Sequence, residues 1–310
     1  MAELLYQRDV YGQTLVELGR QFKDIVVLDA DLSGSTRTAI FAKEFPERFF
    51  NFGVAEQNMV ATSAGLASCG KTVFVSTFAI FATGRAWDQV RNSVCYSNFN
   101  VKIVATHAGL TVGPDGATHQ ALEDIALMRV LPNMFIIVPC DGPQTREAVL
   151  AAAGHNGPFY VRLGRAKVPT IEFKGEFKLG KAQVLTSGND LAIIACGVMV
   201  TEALVAVKSL SEIGIKVRLI NMHTIRPMDT EEILKAARET KGIIVCEEHS
   251  VIGGLASSVQ EVVAEEHPTK VVCLGVKNRF GQSGDPAELL KVYNLTSADI
   301  EKAALKLLSK

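Results

Sequence analysis

Along the chain, short apolar runs rich in β-branched residues alternate with stretches whose apolar positions recur every three or four residues. The short runs predict strands over residues 25–29, 49–54, 72–76, 101–106, 134–139 and 159–163. The longer periodic stretches predict helices over 11–21, 56–68, 85–95, 122–130 and 144–153. Asp141 and Pro143 supply an N-cap and a first-turn proline for the last of these. Strands and helices alternating at this spacing predict a mostly parallel sheet with helices on both faces.

The rhythm breaks over 168–189, where Pro169, Gly175, Gly180 and Gly188 stand among charged residues. This stretch reads as a connector holding one hairpin. Beyond it the alternation restarts, with strands expected at 191–195, 216–220, 242–247 and 271–275. Helices are expected at 201–211, 230–239, 254–265, 286–292 and 297–308. The fold class is therefore α/β, with two doubly wound domains: residues 1–168 and 190–310, joined by 169–189.

With 310 residues, 48% of them hydrophobic, the chain can bury two such cores. Its 32 basic and 33 acidic residues are dispersed and leave a net charge of −1, which gives no footprint for nucleic acid or an anionic membrane. No apolar run reaches the roughly 18 residues of a spanning helix, and residues 1–10 lack a signal-peptide pattern, so a cytoplasmic location is expected. Cys69, Cys95, Cys140, Cys196, Cys246 and Cys273 are far apart and read as reduced core thiols rather than a zinc site or a catalytic cysteine.

Ligands of open parallel sheets bind beyond the carboxyl ends of the strands, which directs attention to the loops after each strand of the first domain. Glu56, in Gly53-Val54-Ala55-Glu56-Gln57-Asn58-Met59, opens an Ala- and Gly-rich helix. It is either a first-turn acid that favours the helix dipole or a carboxyl group held in an apolar setting for proton transfer. Phe78 and Phe81, just past the 72–76 strand, are either core packing or a flat wall for a heteroaromatic ring. The loop from His107 through Gly109, Gly113, Asp115, Gly116 and His119 to Gln120 fits no standard metal spacing and suits a polar substrate.

The order of these three segments resembles the pyrimidine-binding domain of transketolases. The likeness runs from Arg8, Tyr11, Gly12 and Gln13 through Glu247-Glu248-His249 and Gly253-Gly254, and so includes that family's C-terminal domain. It implies thiamine diphosphate as cofactor. Glu56 then matches the acid that hydrogen-bonds the aminopyrimidine ring, with Phe78 and Phe81 packed against that ring. His107, counted with Glu56 among the catalytic positions, matches a sugar-phosphate contact, as do Asp115 and His119. Asp115 is the expected partner of a donor hydroxyl. Arg8, Ser35 and Arg165 match the positions that hold the substrate phosphate, for which paired guanidinium donors are suited; Arg162, nearby in sequence, competes with Arg165.

Two departures from the family pattern stand out. Gly84 stands about where the family keeps a third pocket aromatic, and no aromatic takes that place. The chain also begins almost on the pyrimidine domain and lacks the Gly-Asp-Gly of the diphosphate-binding half. The resemblance thus implies the C-terminal subunit of a split transketolase, with no metal ligands of its own. An N-terminal partner would bring the diphosphate site with Mg²⁺ or Ca²⁺, in a heterotetramer of two chains each. Sugar phosphates would be the substrates. A 1-deoxyxylulose-5-phosphate synthase, the β subunit of a 2-oxoacid dehydrogenase and a non-catalytic binding paralogue are the alternatives; Thr106-His107 stand where the synthase has an Asp-Arg pair, and the β subunit lacks the histidine-rich loop.

Overall fold

A computed structural model describes residues 3–173 and 175–309. The strands are β1 (Leu4–Tyr6), β2 (Ile25–Asp29), β3 (Phe49–Asn51), β4 (Thr72–Ser76), β5 (Val101–Ala105), β6 (Phe135–Ile137) and β7 (Phe159–Arg162). They continue with β8 (Lys167–Pro169), β9 (Gln183–Thr186), β10 (Leu191–Ala195), β11 (Val217–Asn221), β12 (Thr224–Arg226), β13 (Ile243–Ser250) and β14 (Val271–Val276). Two mostly parallel sheets form, in the orders β12-β6-β7-β5-β4-β2-β3 and β14-β13-β10-β11-β9; only β12 and β9, each at an edge, run antiparallel to their neighbours.

Apolar side chains project from both faces of the central strands, as expected of sheets covered twice. In β2, Ile25 and Val27 pack beneath the Gln7–Gln21 and Gly142–Ala153 helices, while Val26 and Leu28 face the other way. In β10, Leu191 and Ile193 pack under the Met199–Glu212 and Ser297–Leu308 helices, while Ala192 and Ile194 face away from them. Those outward sets meet. One continuous core joins Val26, Val73, Ile103 and Tyr160 of the first sheet to Ile194, Ile220 and Val245 of the second.

Several elements differ from the sequence expectation for local reasons. The strand beginning at Phe49 stops at Asn51, because Phe52 bonds back to Asp29 and Gly53 turns the chain at φ 66°. The strand in 134–139 is cut to β6, since Val138 bonds to His223 of the second series instead. The helix expected over 85–95 begins at Phe81 and contains two π-helical stretches, Phe81–Arg85 and Val90–Cys95. Among the described residues the connector forms no hairpin: β8 pairs with β1, and β9 joins β11. All six cysteines are free, but Cys69 is exposed and Cys273 only half-buried, so those two are not core residues. No helix is long and apolar enough to cross a membrane among the described residues.

Candidate active site

The carboxyl ends of β2, β4, β5 and β7 lie side by side; Asp29 pairs in register with Ser76, and Ala105 with Arg162. Chain continuing from these ends builds the site. Thr106 bridges to Phe78, which carries the turn after β4 alongside the turn after β5. Glu56 begins the Glu56–Ser68 helix with no side-chain cap.

Glu56 is 1% exposed, unlike an ordinary helix-start acid. One of its carboxylate oxygens accepts a 2.8 Å bond from Arg85 Nη1, while Oε2 is buried with no partner. A buried acceptor left open forfeits about 1–3 kcal/mol, so an unfilled oxygen here calls for an occupant from outside the chain. The Arg85 guanidinium also lies 4.6 Å over the Phe81 ring, which joins the carboxylate to the aromatic cluster.

That cluster is ordered. Phe78 and Phe81 are near-parallel, with centroids 5.9 Å apart and planes at 13°. His107 stacks on Phe78 at 3.8 Å, and His119 meets Phe81 edge-on at 5.5 Å. Phe78 is buried behind His107, whereas Phe81 is half-buried beneath Arg85, so Phe81 is the more accessible ring of the two. At Gly84 a Cβ would meet nothing within 4 Å; the wall beside Phe81 is completed by Arg85, not by a third aromatic ring.

His107 adopts φ 58° and shares a 2.9 Å hydrogen bond between Nδ1 and the Thr106 hydroxyl. Burial, with the nearby charges of Arg8, Arg165 and His119, pushes its imidazole down to about 3, so it is neutral at ordinary pH. Arg8 and Arg165 both lie near enough to this imidazole for their charges to lower it. Gln7 brings them there: its amide donates to the Pro139 carbonyl at 2.8 Å and accepts from Gly164 N–H at 2.9 Å, tying the N-terminal segment to the end of β7. Arg165 donates to the Val112 carbonyl at 2.9 Å. Arg8 donates weakly to the Ser35 carbonyl at 3.3 Å and keeps its Nε buried and unpartnered. Ser35 is held in place because Asp29 accepts from Leu32, Thr36 and Thr38 around it.

Asp115 is exposed at the end of the Leu110–Asp115 3₁₀ turn, without a hydrogen bond to the ring cluster among the described residues. Arg162 is excluded from the rival role given to it above. It is buried and bonds both oxygens of Asp124, at 2.7 and 3.2 Å, with Tyr160 donating to the same carboxylate at 2.6 Å. Burial alone would raise the Asp124 carboxyl, but Arg162 and His249 bring it below the usual range. Arg85 and Asp124 are the functional-region residues that sequence reading passed over. For Arg85 a signal was present, since it lies four residues past Phe81 in a helical stretch and can reach back over that ring.

Comparison with known proteins agrees with this geometry. The family model for the transketolase pyrimidine-binding domain matches residues 5–170, and that for the transketolase C-terminal domain matches 180–300. A protein of Methanocaldococcus jannaschii, provisionally described as a transketolase C-terminal section, is 50% identical over 98% of this chain and 96% of its own length. One of the apulose-4-phosphate transketolase subunits of Phocaeicola vulgatus is 43% identical over 98% of this chain and 97% of its own. A solved structure described as a split gene transketolase, inactive beta4 tetramer, superposes with a TM-score of 0.89 at 50% identity, covering 98% of each chain. Matched in both of its α/β portions and along nearly its whole length, the chain belongs to the transketolase family.

Proposed function

We propose that this chain is the C-terminal subunit of a two-chain transketolase. It would move a two-carbon ketol unit from a ketose phosphate (xylulose 5-phosphate, sedoheptulose 7-phosphate) to an aldose phosphate (ribose 5-phosphate, glyceraldehyde 3-phosphate). The observation that carries this reading is Glu56: a buried carboxylate with one oxygen unpartnered, joined through Arg85 to the half-buried Phe81 ring. That pairing of a lone acid and a flat apolar wall fits an aminopyrimidine ring. Thiamine diphosphate, when bound, supplies the reactive carbon that takes up the ketol unit.

In this reading Glu56 Oε2 holds a proton against the ring nitrogen, and Arg85 keeps Oε1 occupied so that only Oε2 is offered. Phe81 supports the ring, and Phe78 braces Phe81 from behind. Neutral His107 donates or accepts a hydrogen bond toward the sugar without adding charge. Arg8 and Arg165, with Ser35, grip the distal phosphate, and the unpartnered Nε of Arg8 is a donor without a task inside the chain. His119 and Asp115 complete the sugar path, Asp115 reaching a donor hydroxyl. The diphosphate and its Mg²⁺ or Ca²⁺ are assigned to the N-terminal partner, in a heterotetramer in the cytoplasm. The inactive tetramer named for the 50% identical structure is consistent with that division of labour.

The test is reconstitution with an N-terminal subunit carrying Gly-Asp-Gly, assayed for ketol transfer from xylulose 5-phosphate to ribose 5-phosphate. Transfer by the pair and not by either chain alone is expected; a lone chain that turns over, or a pair that does not, retires the proposal.

A further inference from the structure

The segment Glu247-Glu248-His249, followed by Gly253-Gly254, carries part of the family resemblance, yet none of it reaches the ring cluster. It works at the seam between the two sheets. Glu247 accepts from the amides of Leu255 (2.7 Å) and Ala256 (2.8 Å) at the start of the Leu255–Glu266 helix. A Cβ at Gly254 would overlap that carboxylate. His249 shares 2.7 Å between Nδ1 and the Ser250 carbonyl and accepts from Ala126 N–H at Nε2, 3.4 Å away, in the first unit.

Glu248, on the opposite face of β13 from Glu247, is buried against the loop that carries His107, Asp115 and His119. Its Oε1 accepts the backbone N–H of Thr111, 137 residues away in sequence and midway between His107 and Asp115. A Cβ at Gly109 would overlap the Glu248 carboxyl group, and Gly109 itself sits at φ 83°, so the loop is shaped to receive this one side chain. Arg162 donates to the Glu248 carbonyl at 3.0 Å and fixes the strand from below. Weaker fastenings flank the contact: Gln120 Nε2 donates to the Gln282 carbonyl at 2.9 Å, and Gly113 rests on Gly284 and Pro286.

We infer that Glu248 is a positioning residue, through which the C-terminal unit sets the conformation of the substrate loop. The inference deepens the function proposed above and rests on the substrate role given there to the loop. The bond from the Thr111 amide to this carboxyl group acts at the loop's midpoint, where a small displacement moves all three site residues. Burial raises the Glu248 carboxyl to about 7, opposed by Arg162 and by the Thr111 amide, so the carboxylate depends on this contact as much as the loop does.

The experiment compares the whole chain with Glu248→Gln, whose amide oxygen still accepts one bond, and Glu248→Ala, which accepts none. Hydrogen exchange of amides 109–112 should quicken roughly tenfold in the alanine variant and less in the glutamine variant, while the Glu56–Ser68 helix keeps wild-type rates. In the reconstituted two-chain enzyme, KM for xylulose 5-phosphate should rise in the same order, by about tenfold for alanine. C2 proton exchange of the bound cofactor should not change, because Glu56 is untouched. Unchanged exchange at 109–112 in both variants, or equal quickening there and over 56–68, overturns the inference; should the alanine variant fail to fold, the glutamine variant alone decides. Absence of ketol transfer by the wild-type pair would instead refute the proposed function, and the amide measurement would still report on the Glu248 contact.

Discussion

Arg85 bonds one carboxylate oxygen of Glu56 at 2.8 Å and leaves the other buried without a partner. The ion pair therefore does not satisfy the acid; it orients it. Glu56→Gln preserves shape and the contact with Arg85 but cannot hold the proton. We expect an intact fold and a loss of about 10²–10⁴-fold in turnover at saturating cofactor. C2 proton exchange of bound cofactor in the reconstituted enzyme is the direct check, and near-normal exchange would reduce Glu56 to a helix-start residue.

The isolated chain should fold, as its continuous core implies, yet bind thiamine diphosphate poorly and show no activity. Calorimetric titration with cofactor and Mg²⁺ measures this. Tight stoichiometric binding by the lone chain would contradict the two-subunit reading.

Arg8→Ala and Arg165→Ala should each raise KM for phosphorylated sugars roughly ten- to hundredfold, the worth of a charge-assisted hydrogen bond. Hydroxypyruvate, which carries no phosphate, should be used almost as before. His107→Ala should weaken phosphorylated substrates, whereas Asp115→Ala should affect both donors. Equal losses for both donors in the arginine variants would mean that they brace structure rather than grip phosphate.

Two buried groups should tilt stability in opposite directions with pH. His107, held at about 3 by burial, Arg8, Arg165 and His119, is charged in the unfolded chain below about 6.5 but not in the folded one. The unfolded state then binds more protons, so stability falls as pH drops from about 6.5 toward 3. Glu248, raised to about 7 by burial despite the opposing effects of Arg162 and the Thr111 amide, retains its proton in the folded state where the unfolded chain has lost it. Its contribution is fully present below about 4.5 and is lost as pH rises through about 7. Denaturant midpoints across pH should show a smaller loss on acidification below about 6.5 for His107→Asn and a smaller loss as pH rises from about 4.5 to 7 for Glu248→Gln; parallel wild-type and variant curves would refute either assignment.

The α/β class and the positions of most elements were legible because both faces of each central strand are apolar, as in β2 and β10, and the helices carry one apolar face. The Glu56, Phe81 and His107 loops were legible because ligand-binding chain follows strand ends. What could not be read were contacts fixed by tertiary geometry. Arg162 and Arg165 look alike in sequence, and only the burial of Asp124 under β7 separates them. Arg85 opened the helix expected over 85–95, so its four-residue spacing from Phe81 carries meaning only once the helix is seen to start at Phe81. Glu248 stands in the Glu247-Glu248-His249 motif, but its partner lies 137 residues away and nothing local marks the contact.

Strand β12 belongs by sequence to the second series but completes the edge of the first sheet, pairing Thr224 with Ile137 and Arg226 with Ile136. The two portions are thus woven together rather than merely touching. Removing the second would strip β6 of a neighbour and bare its backbone donors and acceptors, the condition under which sheets recruit strands from other molecules. Thermal unfolding of the chain should accordingly be one transition, and no proteolytic cut within 170–190 should release a first portion that stays monomeric.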